Sequence, residues 1–329
     1  MTNRNSLSRR SAVQTLAALF SPPALPSWSQ SARSISLKVA YSAGGPADTA
    51  ARQMQVPLQA ALEQTVIVEN APGAGGSLAT MAYLATPPNG TTLLVLTGND
   101  AVLNPLSLSS AKYRSEHLRP IHPLIVSEFV LVTGNPQPPS GIDALVAHAK
   151  AAPKELSFGN WGIGSSPHLI TEDLRAQTGI KLLDVPYKGV APMVQDLIGR
   201  QLDYAFLPLA GTTQGMIESG KLKAVAMASP TRTVNLPDVP AAGESKLLKG
   251  FDYTVWPGVF VHAATPEAVV KKLHQHISTI VGSAAYQKWS RETGNKSLSA
   301  MSLNEVTALY ASEQSRSKRL AAAMKLAPQ

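Results

Sequence analysis

The sequence predicts an α/β protein of two doubly wound lobes joined by two hinge crossovers, and three observations predict it. Strand-length apolar runs alternate with helix-length runs in two successive blocks, as in parallel sheets covered by helices. A proline cluster, Pro136-Gln137-Pro138-Pro139, interrupts the alternation between the blocks. Glycine-rich stretches recur where a strand should end and a helix begin: Ala43 to Asp48, Pro72 to Ser77 and Gly162 to His168. At 329 residues and 44% apolar content, the chain is long enough to build two cores.

In the first block, Ile35 to Tyr41 reads as a strand and Pro46 to Leu62 as a helix that Pro57 should kink. Thr65 to Glu69 is a strand and Ser77 to Ala85 a helix. Thr92 to Leu96 is a strand announced by the Asn89-Gly90 turn, and Phe129 to Thr133 is another. The second block opens with a helix at Ile142 to Ala151, a strand at Glu155 to Phe158 and a helix at Pro167 to Thr178 closed by Gly179. A strand at Leu182 to Tyr187, a helix at Pro192 to Ile198 and strands at Leu202 to Phe206 and Lys223 to Met227 follow. Phe251 to Val261 is an extended return to the first lobe, and beyond Pro266 the chain is mainly helical. The expected division is residues 30–134 and 253–329 in lobe 1 and residues 135–252 in lobe 2.

Charged residues at 15% and aromatics at 5% disfavour both disorder and an aromatic platform for nucleic acid. The formal net charge of +8 is scattered. Its densest run, Arg316, Lys318 and Arg319 with Lys325, falls on an Ala-rich terminal helix and reads as a solvated face. The lack of cysteine excludes disulfides, thiolate metal sites and cysteine nucleophiles. Arg4, Arg9 and Arg10 precede a short apolar run, Ala12 to Phe20, and small residues Ser27 and Ser29 flank Trp28. Residues 1–29 therefore read as a secretory signal peptide, with Ser8-Arg9-Arg10 resembling a twin-arginine export signal. A periplasmic location is the expectation.

The glycine loops carry the chemistry. A helix N-terminus presents unpaired backbone N–H groups and partial positive charge, which together suit an anion. Pro46, Pro167 and Pro192 each stand at a first helical position, where a missing N–H costs nothing, and Ser165 or Ser166 is a natural cap. Several such loops converging on one cleft could hold a small carboxylate with little help from charged side chains.

The ordered motifs resemble a family. They begin with Gly44-Gly45-Pro46-Ala47-Asp48-Thr49-Ala50-Ala51-Arg52 and Val68-Glu69-Asn70-Ala71-Pro72-Gly73-Ala74-Gly75-Gly76. Pro88-Asn89-Gly90-Thr91-Thr92-Leu93, Gly164-Ser165-Ser166-Pro167-His168-Leu169 and Val185-Pro186-Tyr187-Lys188-Gly189 follow. Pro237-Asp238-Val239-Pro240 and Trp256-Pro257-Gly258-Val259-Phe260 complete the set. From Lys38 to Ala311 the chain resembles the substrate-binding receptors of tripartite tricarboxylate transporters. The resemblance implies a type II periplasmic-binding fold that closes like a flytrap on a small organic carboxylate and delivers it to membrane permease subunits. It also implies which loops hold the ligand: Ala43, Gly44, Gly45 and Asp48 with Gly75, Gly76 and Ser77 from the first lobe. Gly164, Ser165, Ser166 and His168 with Tyr187, Lys188 and Gly189 would come from the second. Departures from the family pattern are Ala43 before the glycine pair, the bulk of Trp161, and Leu207-Pro208 where relatives carry a polar residue. The last of these implies a less polar distal pocket.

Singly, Asp48 reads as a loop organiser paired with Arg52, since it would repel a carboxylate. Lys188 is the one cation in these loops. Catalytic patterns are thin: Ser109-x-x-Lys112 recurs at Ser315-x-x-Lys318, Leu78 replaces the third glycine of a dinucleotide fingerprint, and His274 and His276 point apart on a helix. The expectation is a monomeric, non-enzymatic receptor without metal, cofactor or nucleic-acid partner. The alternatives are an exported hydrolase using Ser165 or Ser166 with His168, and a sensor without a permease.

Overall fold

The computed structural model describes residues 34–162, 164–210, 212–296 and 298–323. The expected signal segment, residues 1–29, lies outside them. Two sheets organise the described chain, as the alternation predicts. The first runs β2 (Val66–Asn70), β1 (Ile35–Val39), β3 (Thr92–Thr97), β11 (Pro257–His262), β4 (Leu118–Pro123). The second runs β10 (Thr254–Val255), β5 (Ser127–Thr133), β8 (Tyr204–Pro208), β6 (Leu156–Asn160), β7 (Leu182–Pro186), with β9 (Lys223–Met227) also on β5.

Both sheets mix parallel and antiparallel pairing. In the first, Leu37 pairs with Val68 on one side and Leu93 on the other, both parallel. Strand β11 then lies antiparallel between β3 and β4. In the second, β6 is parallel to β7 and β8, while β5 runs antiparallel to β8 and β9. Leu93 to Leu96 are buried in succession, because a central strand covered on both faces has no polar side.

The helices are α1 (Pro46–Leu62), α2 (Ser77–Leu84), α3 (Gly98–Ser107), α4 (Ile142–Ala151), α5 (Ser166–Thr178), α6 (Val190–Ile198), α7 (Thr212–Glu218), α8 (Glu267–Gly282), α9 (Ala284–Glu292) and α10 (Leu303–Ala323). Helix α1 runs as one element through Pro57, its Ala50, Ala51, Met54 and Leu58 buried. The lost N–H is tolerated because that face packs on β2 and α8. Helix α5 ends as expected, with Gly179 left-handed at φ 70°. Helix α3 and strand β4 were not anticipated from sequence. The long C-terminal helix α10 packs on both of them.

The division of the chain differs from the expected boundaries. Strand β5, placed in lobe 1 by a crossover at residue 134, hydrogen-bonds wholly within the second sheet. The chain changes sheets between Pro123 and Ser127, ahead of the proline cluster. It returns between Val255 and Pro257. Strand pairing decides this, and pairing is non-local.

Candidate functional site

Helices α1 and α6 start on opposite sides of the cleft between the two sheets. The turn after β1 brings Gly44 to φ +82° and donates the Gly44 N–H to Asp48 Oδ2 at 2.9 Å. Asp48 also receives Arg52 Nε at 3.0 Å and Asn70 Nδ2 at 2.9 Å, which locks the loop to the end of β2. Burial pushes the Asp48 carboxyl up, but Arg52, the Gly44 N–H and Asn70 together hold it below its ordinary value. Asp48 is thus charged and fully partnered, an organiser of the turn. Gly45 and Gly189 occupy the N-cap positions of α1 and α6, and neither helix has a side-chain cap. The first-turn N–H groups of Ala47, Val190 and Ala191 lack intrahelical acceptors by construction.

These two helix starts converge on a cavity of about 30 Å³, bounded also by Tyr41, Thr97, Trp161, Pro208, Val255 and Pro257. Outside it lies a wider recess bounded by Ser42, Ala74, Gly162, Tyr187 and Lys188, with Trp161 bordering both. At that recess, Ser42 Oγ donates to Lys188 O at 3.1 Å, a bond from lobe to lobe.

Behind the cavity sits a group that sequence reasoning missed. Asp100, in the first turn of α3, is 0% exposed. Its Oδ2 accepts Tyr41 Oη at 2.7 Å and Trp161 Nε1 at 2.8 Å, while its Oδ1 accepts the Ser166 N–H at 3.2 Å. Tyr41 and Asp100 belong to the first lobe, Trp161 and Ser166 to the second. Burial drives the Asp100 carboxyl upward, and hydrogen bonds from Tyr41, Trp161, Thr97 and Ser166 offset only part of that. The Tyr41 phenol is pushed well above its ordinary value, by burial first and Asp100 second. Trp161 completes the seam by stacking on Phe129 at 6.1 Å and meeting Tyr41 edge-on at 6.3 Å between ring centroids. A signal existed in the sequence. Thr97-x-x-Asp100 is a helix-start pattern, borne out by Thr97 Oγ1 accepting the Asp100 N–H, and Asp100 is the sole acidic residue between Glu69 and Glu116.

The remaining expected site residues fall into place unevenly. In the third loop the N–H groups of Gly164, Ser165 and Ser166 are taken by His168 Nδ1, Gly162 O and Asp100. That helix start does hold an anion, and the anion is the protein's own. Ser165 is the N-cap of α5 but its hydroxyl donates to Gly162 O at 2.5 Å instead of capping. In the second loop, Gly75 N donates to Trp161 O at 3.0 Å across the seam, and Gly76 packs tightly against Leu96 and Ala40. Ser77 is fully buried, away from both cavities. Ala43 is exposed beyond the rim. Tyr187 donates to Asp196 Oδ2 at 2.7 Å; burial first, then Asp196, pushes its phenol up to about 12.

The model of the tripartite tricarboxylate transporter family receptor matches residues 50–326. The chain belongs to that family. Similar proteins include protein BugT of Bordetella pertussis, 33% identical over 256 residues, covering 77% of this chain and 78% of BugT. The solved periplasmic binding protein BugD superposes with a TM-score of 0.82 at 30% identity, covering 90% of this chain and 99% of that one. MatC of Rhodopseudomonas palustris, solved with bound malate, superposes at 0.81 with 26% identity over 87% and 98%. The protein is therefore a solute-binding receptor of this family with the two-lobed periplasmic-binding fold.

Among the described residues, no hydrogen bond joins Ser165 or Ser166 to His168. His168, Glu172 and Asp184 bring ligand atoms within 4.8 Å of one another. Arg175 already bridges the two carboxylates there, and the Gly164 N–H fixes Nδ1 as an acceptor, leaving the imidazole proton on the nitrogen that faces Glu172. That donor set suits an ion-pair network better than a metal.

Proposed function

We propose that this receptor captures a small organic carboxylate in the periplasm and presents it to the membrane subunits of a tripartite tricarboxylate-type transporter. One observation carries the reading: two helix starts without side-chain caps, after Gly45 and Gly189, face each other across a closed cleft. Each offers unpaired N–H donors and the positive end of a helix dipole, the combination that binds a carboxylate. The malate held by MatC and the transporter named in the family description support the same class of ligand and partner. The grip passes from the third loop, whose donors are taken by His168, Gly162 and Asp100, to the α1 and α6 starts.

Lobe 1 comprises residues 34–123 and 257–323, lobe 2 residues 127–255, and the hinges are residues 124–126 and Trp256. Lys296 braces the first hinge by bridging to Val126 and pairing with Glu128 at 3.0 Å. Opening about these points breaks the Asp100, Gly75 and Ser42 bonds while leaving each sheet whole. Small-angle scattering on the exported form should show compaction when its carboxylate is added; an unchanged radius at saturation would count against the mechanism.

Substitution separates backbone from side-chain recognition. Gly45 has φ −81°, so a larger residue there carries no backbone strain, and a Cβ would lie 3.9 Å from Val190 Cβ across the cleft. The γ-methyls of Gly45→Val would enter the gap where the carboxylate sits and should cut affinity at least tenfold. Lys188→Ala, in the exposed recess, should cost only about 1–2 kcal/mol, the scale of one charge-assisted hydrogen bond. Titration calorimetry decides between them: lost binding in Lys188→Ala with normal binding in Gly45→Val would refute the backbone grip.

A further inference from the structure

The inner cavity has walls of an unusual kind for an anion site. Three of its side chains carry polar atoms: Tyr41, Thr97 and Trp161. All three turn those atoms away from it. Tyr41 Oη and Trp161 Nε1 donate to Asp100, and Thr97 Oγ1 accepts the Asp100 N–H and lies 3.1 Å from Tyr41 Oη. The rest of the far wall is Pro208, Val255 and Pro257, which offer no side-chain donor. Pro208 and Pro257 have no backbone N–H to offer either. Among the described lining residues, the uncapped helix-start donors all lie at the near end, where α1 and α6 begin, and Val255 is paired with Ser127 of β5.

A second carboxylate carried into the far end would lose its water and meet neither a cation nor a hydrogen-bond donor. It would also approach a buried acid, Asp100, whose acceptor positions are already filled by protein donors. The cation of these loops, Lys188, stands in the outer recess, on the other side of Trp161. A ligand lying in the inner cavity has no route to it. The room is small as well. A water needs about 10–15 Å³ by this measure, so about 30 Å³ admits two or three water-sized groups in all, and only a short tail can follow the carboxylate into it.

We infer that the inner cavity selects a short carboxylate with an uncharged, apolar far end, a monocarboxylate of the butyrate kind, over dicarboxylates of equal length. This rests on the carboxylate-receptor reading above and narrows it. Trp161 and the Pro208–Val255–Pro257 wall set the selectivity, while the α1 and α6 starts set the affinity. A missing partner for a buried charged group discriminates more strongly than a missing methylene does.

Butyrate and succinate test this, because they match in length and differ only in methyl against carboxylate. Titration calorimetry of the exported receptor should find butyrate bound at least tenfold more tightly than succinate. Val255→Ala, which lengthens the cavity by two methyl groups, should shift the preference from butyrate toward hexanoate. Succinate binding as tightly as butyrate, with Lys188→Ala removing that affinity, would place the tail in the outer recess and overturn the inference while the carboxylate-receptor reading stood. If acetate, butyrate, succinate, malate and citrate all fail to bind, the carboxylate reading itself fails and the inference with it.

Discussion

Asp100→Ala should leave both lobes folded and drive them apart. The truncation strands the Trp161 Nε1–H and the Ser166 N–H in a region that excludes water, while the Tyr41 hydroxyl keeps Thr97 as a partner. Each buried group left unpaired costs about 1–3 kcal/mol, so closure should weaken by about 2–5 kcal/mol. Opening relieves that cost by hydrating Trp161 and Ser166, which is why separation of the lobes, more than unfolding, is the expected outcome. Scattering should report a larger radius in the variant, with far-ultraviolet dichroism unchanged. The pH dependence has a definite sign. The Asp100 carboxyl is raised in the closed form, so it binds a proton more readily there than when hydrated. Its favourable contribution is present below the ordinary carboxylate range and is lost as pH rises through the raised value. Mild acid should therefore tighten closure in the parent, and Asp100→Asn should remove that dependence. Closure that is the same in Asp100→Ala and parent would show that the seam is held elsewhere.

Gly164→Ala should separate closing from folding in a second way. Gly164 sits at φ +80°, and a Cβ there would fall 1.6 Å from Ser107 Oγ and 2.4 Å from Ser107 Cβ. Rotating the serine hydroxyl relieves the first contact but not the second. Ser107 is itself buried on α3, its hydroxyl bonded to Leu103 O. The lobes must then stand off by roughly an ångström, which also stretches the Ser166-to-Asp100 bond. The left-handed backbone adds about 1–2 kcal/mol of strain within lobe 2. Carboxylate affinity should drop about 30-fold or more, since each 1.4 kcal/mol is a factor of ten. Adding Ser107→Gly should restore much of the affinity but none of the lost stability, because it removes the clash and leaves the strained φ. Titration calorimetry and thermal melts on the single and double variants read the two effects apart. Parent-like affinity in Gly164→Ala would mean that the closed seam is not the binding form.

What the sequence made legible follows the range of the interactions involved. The βα alternation and the helix starts depend on neighbours within a few residues: α1 begins at Pro46 as the pattern puts it, and α5 at Ser166, one residue ahead of the expected Pro167. Helix α3 escaped because Gly98 at its start and Pro105 within it argue against a helix, and its apolar run Ala101-Val102-Leu103 is too short to show a helical period. Strand β4 escaped because Pro120 and Pro123 break its pattern, although both lie in the sheet beside β11. The third loop shows the limit most clearly. Its glycine and serines announce an anion site, and an anion is there, but it comes from Asp100, 66 residues earlier in the chain. Local grammar can say that a helix start wants negative charge; only the folded chain says whose.

Trp161 gives the receptor a built-in optical gauge of its own state. Closed, the indole is stacked on Phe129, bonded to a carboxylate and 4% exposed. Opened, it would face solvent, and its emission would shift to longer wavelength as water relaxes around the excited ring. Trp256, at the second hinge, is anchored on Phe260 and Tyr310 of lobe 1, and Trp289 packs on Tyr286, so both supply a background against which Trp161 is read. Fluorescence of the unlabelled protein can thus follow closure in real time, ligand by ligand, with no dye attached.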